Sequence, residues 1–274
     1  MTGLLRALGH LLLAALLTVV TQVGGVVYLL SVPLARFAGR RTSHRWLRRL
    51  TPLLTFVVLY AGVSALLIPP IAARYGRVPL PPGGRGGLAP AHWGFVAANR
   101  HYVRPALRDA LLDVTTALRA HDPGLRVRYL DAGFPFGDGF PLLPHLSHDD
   151  GRKVDLAFYW IDTAGAPLRR LPHAFGYGYS AGPHPGEPNQ PAACAARGYW
   201  QYGLMAEWTT PDPTVKLDEV RTRALILALS RDRRVGKLLL EPHLKARLRL
   251  GHRDNIRFHG CRAVRHDDHV HVQL

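Results

Sequence analysis

The sequence predicts an α+β fold with a small, mainly antiparallel sheet and flanking helices, preceded by a two-helix transmembrane hairpin. Two long apolar runs lie within residues 1–75, which contain no Asp or Glu. Beyond them, amphipathic helical patterns and short alternating strand patterns are interleaved along the chain. They lack the regular repeat of a doubly wound parallel sheet, which favours an antiparallel sheet with segregated helices.

The two apolar runs span residues 11–35 and 53–73. Each is long enough to cross a hydrocarbon core, which takes about 20 helical residues. The connecting segment, residues 36–49, holds six arginines and no acidic residue, so the positive-inside rule places it in the cytoplasm. A cleaved signal peptide has a shorter apolar region and no second run. We therefore expect a retained hairpin in the inner (cytoplasmic) membrane, in contact with lipid through residues 11–73.

Residues 76–95 are dominated by Pro and Gly, which predicts a linker that holds the following domain away from the bilayer. Residues 96–274 then form an extracytoplasmic domain. The arginine cluster is explained by topology, so the net charge of +16 is not taken to indicate nucleic-acid binding. Two cysteines exclude a Cys₄ metal site. They leave open whether Cys194 and Cys261 pair.

The outer domain begins with a helical pattern in residues 105–120, where apolar residues recur at helical spacing. Its apolar stripe consists of Leu107, Leu111, Val114 and Leu118. The remaining predicted elements are strands at 125–131 and 153–161, a helix at 217–232, a partly helical segment at 238–250 and a final strand at 269–274. The intervening residues 132–147 and 163–198 have loop compositions.

Histidine is abundant, with 15 residues, and five of them fall in two short clusters. The first contains His145 and His148, followed by Asp155 at the start of a predicted strand. The second is His266-Asp-Asp-His269-Val-His271. Side chains two positions apart in a strand share a face, so the last two histidines project together. Two His and one Asp form a nitrogen and oxygen ligand set suited to Zn²⁺, with a fourth position left for water.

This pattern resembles the superfamily of zinc peptidases that includes lysostaphin-like enzymes, D-Ala-D-Ala carboxypeptidases and the hedgehog signalling domain. The spacing His148-x₆-Asp155, with a terminal His269-x-His271, is similar to the carboxypeptidase and penicillin-insensitive murein endopeptidase branches. Lysostaphin-like enzymes use a shorter spacing. His145-x₃-Asp149 matches it, and Asp149 is not on a predicted strand, so this is the less favoured rival ligand pair. The resemblance covers residues 96–274 and rests on these two short motifs.

The resemblance implies a set of zinc ligands: His148, Asp155 and His271. It implies that His269 orients or stabilises the oxyanion, and that the acid three positions before the last ligand, Asp268, is the general base. Relatives commonly have Glu at that position. Because the Asp side chain is shorter than Glu and reaches less far toward the metal, His266, His269 and Asp267 are alternative bases.

An arginine ahead of the first motif helps to stabilise the transition state in carboxypeptidase relatives, and Arg100 and Arg104 are the candidates. The implied function is a membrane-anchored zinc metallopeptidase, of murein endopeptidase or D,D-carboxypeptidase type. It would hydrolyse amide bonds in peptidoglycan stem peptides or cross-links. The alternatives are a non-catalytic, zinc-containing protein that binds the cell wall, and a zinc amidohydrolase that acts on free dipeptides.

Overall fold

The computed structural model describes residues 2–203 and 212–274. The helices are α1 (Thr2–Thr21), α2 (Gly24–Arg40), α3 (Arg45–Gly62), α4 (Ile68–Arg74), α5 (Trp93–Ala97), α6 (Pro105–His121), α7 (Gln190–Ala196), α8 (Glu219–Arg231) and α9 (Pro242–Arg247). The strands are β1 (Val78–Pro79), β2 (Leu88–Pro90), β3 (Tyr102–Val103), β4 (Val127–Tyr129), β5 (Lys153–Ala157), β6 (Trp160–Ile161), β7 (Lys216–Leu217), β8 (Lys237–Leu239), β9 (Ile256–Arg257) and β10 (His269–Gln273). The chain is thus a mixed α/β protein.

Within the described residues, the main sheet has six strands in the order β2-β4-β5-β10-β8-β9. The central pairs are antiparallel, whereas β2–β4 and β8–β9 are parallel. The expectation of a small sheet is therefore wrong. The additional strands are only two or three residues long, too short to show an alternating pattern in the sequence.

The two faces of this sheet have different chemistry. Val154, Leu156, Val270 and Val272 point to one face and are fully buried in the main hydrophobic core. Helices α6 and α8 cover that face with their apolar stripes, as the helical spacing predicted for α6. The alternate residues of β5 and β10 point to the opposite face. The register places His271 beside Asp155 there.

Two helical segments, Gly3–Thr21 and Arg45–Arg74, are long and apolar enough to cross a membrane. The first predicted crossing, residues 11–35, is not one helix, because the chain turns at Gln22, whose φ is +65°. Helix α2 then packs against both α1 and α3. The close approach of α2 to α1 requires glycine, since a Cβ on Gly25 would lie 2.3 Å from the carbonyl oxygen of Ala14.

The helices pack directly on the outer domain. The Gln22 side chain donates to the Phe136 carbonyl at 2.7 Å and accepts from the Phe136 amide at 2.9 Å. Tyr102 of β3 packs with Val23 and Ile68. The segment predicted to be a linker, residues 76–95, also differs from expectation. It carries β1 and β2, and its Leu80 and Leu88 are fully buried. Short two- and three-residue strands are compatible with its many Pro and Gly residues.

Other predicted elements are found with shifted ends. The strand predicted at 153–161 is divided into β5 and β6, which belong to different sheets. The segment 238–250 divides between β8 and α9, and the loop 163–198 contains α7. Cys194 and Cys261, left open by the sequence, form a disulfide that closes a loop of 67 residues. This bond joins α7 to the segment between β9 and β10.

Candidate metal centre

Three side chains converge on the polar face of the sheet: His148, Asp155 and His271. His148 Nε2 lies 3.1 Å from His271 Nδ1 and 3.3 Å from Asp155 Oδ1. His271 Nδ1 lies 2.9 Å from the same carboxylate oxygen. Ligand atoms that surround a tetrahedral zinc at 2.0–2.1 Å are themselves about 3.3 Å apart. The donor set and its spacing therefore fit a small divalent metal, as the sequence pattern indicated.

Each of these side chains is positioned by a different part of the fold. Asp155 and His271 are opposite one another in β5 and β10, so the sheet register brings them together. His148 comes from the loop before β5, and its Nδ1 is 2.8 Å from the Ala132 carbonyl. A proton on that nitrogen leaves Nε2 free as a ligand, the arrangement that a metal-binding histidine requires.

The second oxygen of Asp155 is held by Tyr177, whose hydroxyl donates to Oδ2 at 2.8 Å. The same hydroxyl accepts from the Asp131 amide at 3.1 Å. Burial raises the pKa of Asp155, but the nearby His148 and His269 outweigh it and hold that pKa well below its usual range. The buried carboxylate is therefore ionised, which is the form that binds a cation.

His269, next to the centre, is held in a fixed orientation. Its Nδ1 is 2.5 Å from Asp268 Oδ1, and Asp268 Oδ2 accepts from the Gly178 amide at 2.6 Å. Its Nε2 is buried, 3.7 Å from Asp155 Oδ2, and has no hydrogen-bond partner among the described residues. Burial lowers the pKa of His269, but the carboxylates of Asp155 and Asp268 raise it to about 9. Asp268 thus supports His269 rather than facing the ligand atoms directly.

Arg100 is joined to the site through the carboxylate of Asp131. Its guanidinium forms two hydrogen bonds with Asp131, at 2.6 and 2.8 Å. Asp131 Oδ2 in turn lies 3.1 Å from His145 Nδ1. Burial raises the pKa of Asp131, but His145 and Arg100 outweigh it and lower the pKa. Arg100 therefore neutralises Asp131, and this pair orients His145 beside the centre.

Several predicted alternatives lie away from the ligand set. Asp149, the rival ligand, has a partly exposed carboxylate 3.7 Å from Lys153 and is not part of the buried group of His148, Asp155 and His271. Arg104 forms an ion pair with Asp138 at 2.9 Å, which removes it from the site.

Of the two remaining candidate bases, only one lies at the centre. Asp267 is engaged in an ion pair with Arg265. His266 is buried, with its ring 5.1 Å from the His269 ring. Burial and the adjacent His269 and His271 lower the pKa of His266, so its ring is neutral.

A cavity of about 460 Å³ adjoins the cluster, bounded by His148, His269 and His271. Lys237 and Arg262 also line it, so an anionic group can be accommodated beside the metal-binding atoms. The site therefore combines a buried set of possible metal ligands, an oriented histidine and an adjoining cavity large enough for a small molecule.

Tyr177 and Asp131 could not be recognised from the sequence as parts of this site. Tyr177 belongs to the segment 163–198, whose composition predicts only a loop, and Asp131 ends a short strand pattern. Comparison with known proteins found no family model that matches the chain and no significant match to a curated protein.

Proposed function

We propose that this protein is a membrane-anchored zinc metallopeptidase that hydrolyses amide bonds in peptidoglycan stem peptides or their cross-links. The observation that carries the proposal is the buried triangle of His148 Nε2, Asp155 Oδ1 and His271 Nδ1, whose edges measure 2.9–3.3 Å. When bound, zinc supplies Lewis-acid polarisation of an amide carbonyl and lowers the pKa of water. The substrate class comes from the motif resemblance and from the membrane anchor.

The acid–base role is best assigned to His269. Its Nε2 is free and directed to the centre, whereas both oxygens of Asp268 are engaged by His269 and the Gly178 amide. With a pKa of about 9 the His269 ring is protonated at neutral pH, so it can donate its Nε2 proton to the leaving amine nitrogen; it can accept a proton from water only in its neutral form. Asp268 is then a positioning residue, because its carboxylate holds the imidazole and stabilises the protonated ring. This differs from the role that the motif resemblance implies for Asp268.

Digestion of purified muropeptides by the full chain tests the proposed activity. Mass analysis should show either loss of a terminal D-Ala or separation of cross-linked peptides, with a gain of one water per bond. The products should disappear after chelation and return with added zinc, because the proposed ligand set holds the ion reversibly. A free dipeptide serves as the competing substrate. Turnover of the dipeptide alone would indicate the amidohydrolase, and zinc binding without products would indicate a wall-binding protein.

We further infer that the helical region crosses the membrane three times. Helix α2 has 17 residues, which corresponds to about 25 Å, near the lower limit for a crossing. Contacts of Ala14 with Gly25 and of His10 with Tyr28 run in opposite directions along α1 and α2, so these helices are antiparallel. Arg6 then lies at the same membrane surface as the arginine-rich segment 36–49. Both positions follow the positive-inside rule.

Reporter fusions test this topology. Alkaline phosphatase, which is active only outside the cytoplasm, should be inactive when fused at the start of α1 or after Thr42. It should be active after Leu274, because α3 and α4 lead to the opposite membrane surface, where Gln22 meets Phe136. A fluorescent protein that folds in the cytoplasm should give the reverse pattern. Phosphatase activity at the start of α1 would instead favour two crossings.

A further inference from the structure

A second polar region lies on the same sheet face as the metal centre, at the far end of β4. Tyr129 pairs with Leu156, and both side chains belong to the hydrophobic core. Alternate residues point the other way, so Arg126 and Arg128 project from the face that carries Asp155. The proposed activity does not use these arginines.

The two arginines border a cavity of about 500 Å³, which Arg169 and Tyr159 also line. In the part of the chain that the structure describes, Arg126, Arg128 and Arg169 form no ion pair with an acidic side chain. The acidic residue at the rim, Asp122, pairs with Arg221 at 2.7 Å, and Asp218 shares the same guanidinium at 2.9 Å. The cavity therefore presents an excess of uncompensated positive charge.

The Tyr159 hydroxyl gives an independent indication of a ligand. It is buried and has no hydrogen-bond partner among the described residues. Burial raises the pKa of Tyr159, so the hydroxyl stays neutral and keeps its proton to donate. A buried donor without a partner costs free energy, and an acceptor in the cavity would recover it once the Tyr159 ring turns its hydroxyl toward the cavity. Guanidinium groups and a phenol together form a donor set that matches a carboxylate or another oxyanion.

We propose that this cavity is a subsite that binds a carboxylate of the peptidoglycan substrate at a distance from the bond that is cut. Four residues along the chain separate Asp155 from Tyr159, which corresponds to about 13 Å in an extended conformation. The direct path over Ala157 is covered by Phe95 and Tyr177, so a stem peptide that reaches both positions has to pass around that cluster. The identity of the polymer rests on the proposed function, whereas the binding of an oxyanion does not.

The position of the cavity argues against a lipid headgroup as its ligand. Helix α6 starts three residues after Tyr102, which packs against the membrane helices, and it runs 17 residues to the turn at Asp122. This length corresponds to about 25 Å between the two ends of the helix. The cavity, which Asp122 and both arginines line, therefore lies about 25 Å from the place where Tyr102 contacts the membrane helices.

Binding measurements on the full chain in detergent test the proposal without relying on activity. Chelated protein is titrated with inorganic phosphate, and then with a stem tetrapeptide whose carboxylates are free or amidated. Wild type should bind phosphate and should prefer the free carboxylates. In the double variant R126Q/R128Q, the affinity for phosphate and the affinity for the free-carboxylate peptide should each fall by about tenfold or more. Charged hydrogen bonds of this kind are worth at least that factor. Y159F, which keeps the ring, should weaken them less.

The matched control is R231Q/R233Q, which removes two exposed arginines at the same spacing outside the cavity. It should bind as wild type does. In the zinc-loaded enzyme, R126Q/R128Q should raise KM for the free-carboxylate substrate and leave kcat and zinc content unchanged. Equal affinity in wild type, R126Q/R128Q and the control would overturn the proposal, as would equal affinity for free and amidated peptides. Oxyanion binding without hydrolysis would support the subsite and contradict the proposed activity.

Discussion

Replacing His148 by alanine is expected to remove the bound zinc and to reduce hydrolysis to background. His148 Nε2 is one corner of the donor triangle, and only two ligands remain without it. His271→Ala is expected to have the same effect, because its Nδ1 lies 2.9 Å from Asp155 Oδ1. Zinc per chain, measured by elemental analysis, should fall from one equivalent to near zero in both variants. The full chain is needed, since Gln22 and Phe136 join the helices to the domain.

Two further histidine variants make this result specific. His252→Ala removes an exposed histidine and should keep both zinc and activity. His145→Ala should keep its zinc, because His145 Nδ1 faces Asp131 rather than the three donor atoms. Circular dichroism establishes that each variant is folded. Full zinc occupancy in both His148→Ala and His271→Ala would overturn the ligand assignment. Loss of zinc in His145→Ala alone would identify His145 as a zinc ligand instead.

The ligand set was accessible from the sequence because two strong constraints act on it. The strand period of two places His269 and His271 on one face, and the short loop before Asp155 allows His148 to return beside it. The buried His148–Asp155–His271 group of the structure consists of these expected residues. No such constraint applies to Asp131 or Tyr177. Their positions depend on tertiary packing of loop segments, which leaves no periodic pattern.

The fold, like the site, has elements that a periodic sequence pattern predicts and elements that depend on tertiary packing. The apolar stripe of α6 and the alternation in β10 predicted their elements, since each buries one face in the core. The turn at Gln22 lies inside an uninterrupted apolar run, and hydropathy alone does not locate a turn that depends on Gly24 and Gly25 contacting α1. The linker prediction differs from the structure for a related reason. Pro and Gly exclude long regular elements, but they permit the short strands β1 and β2.

His269→Ala is expected to lower kcat by a factor of about 10²–10⁴, the usual contribution of a general acid–base residue. Zinc content should stay at one equivalent, because His269 Nε2 is 3.7 Å from the nearest Asp155 oxygen and is not part of the donor triangle. KM should change little. His269→Ala should therefore lower kcat without loss of zinc, whereas His148→Ala should lose both activity and zinc.

Asp268→Asn distinguishes a positioning carboxylate from a catalytic base. If Asp268 only orients His269, the variant should lose less activity than His269→Ala. It should also shift the pH profile of kcat to lower pH, because loss of the negative charge of Asp268 beside the imidazole lowers the pKa of His269. If Asp268 is itself the base, its loss should equal or exceed that of His269→Ala. Asp254→Asn and His252→Ala, at exposed positions, serve as matched controls. The order of the two losses decides the assignment, because a proton acceptor cannot be replaced by its amide, whereas an orienting acceptor keeps one oxygen when it becomes Asn.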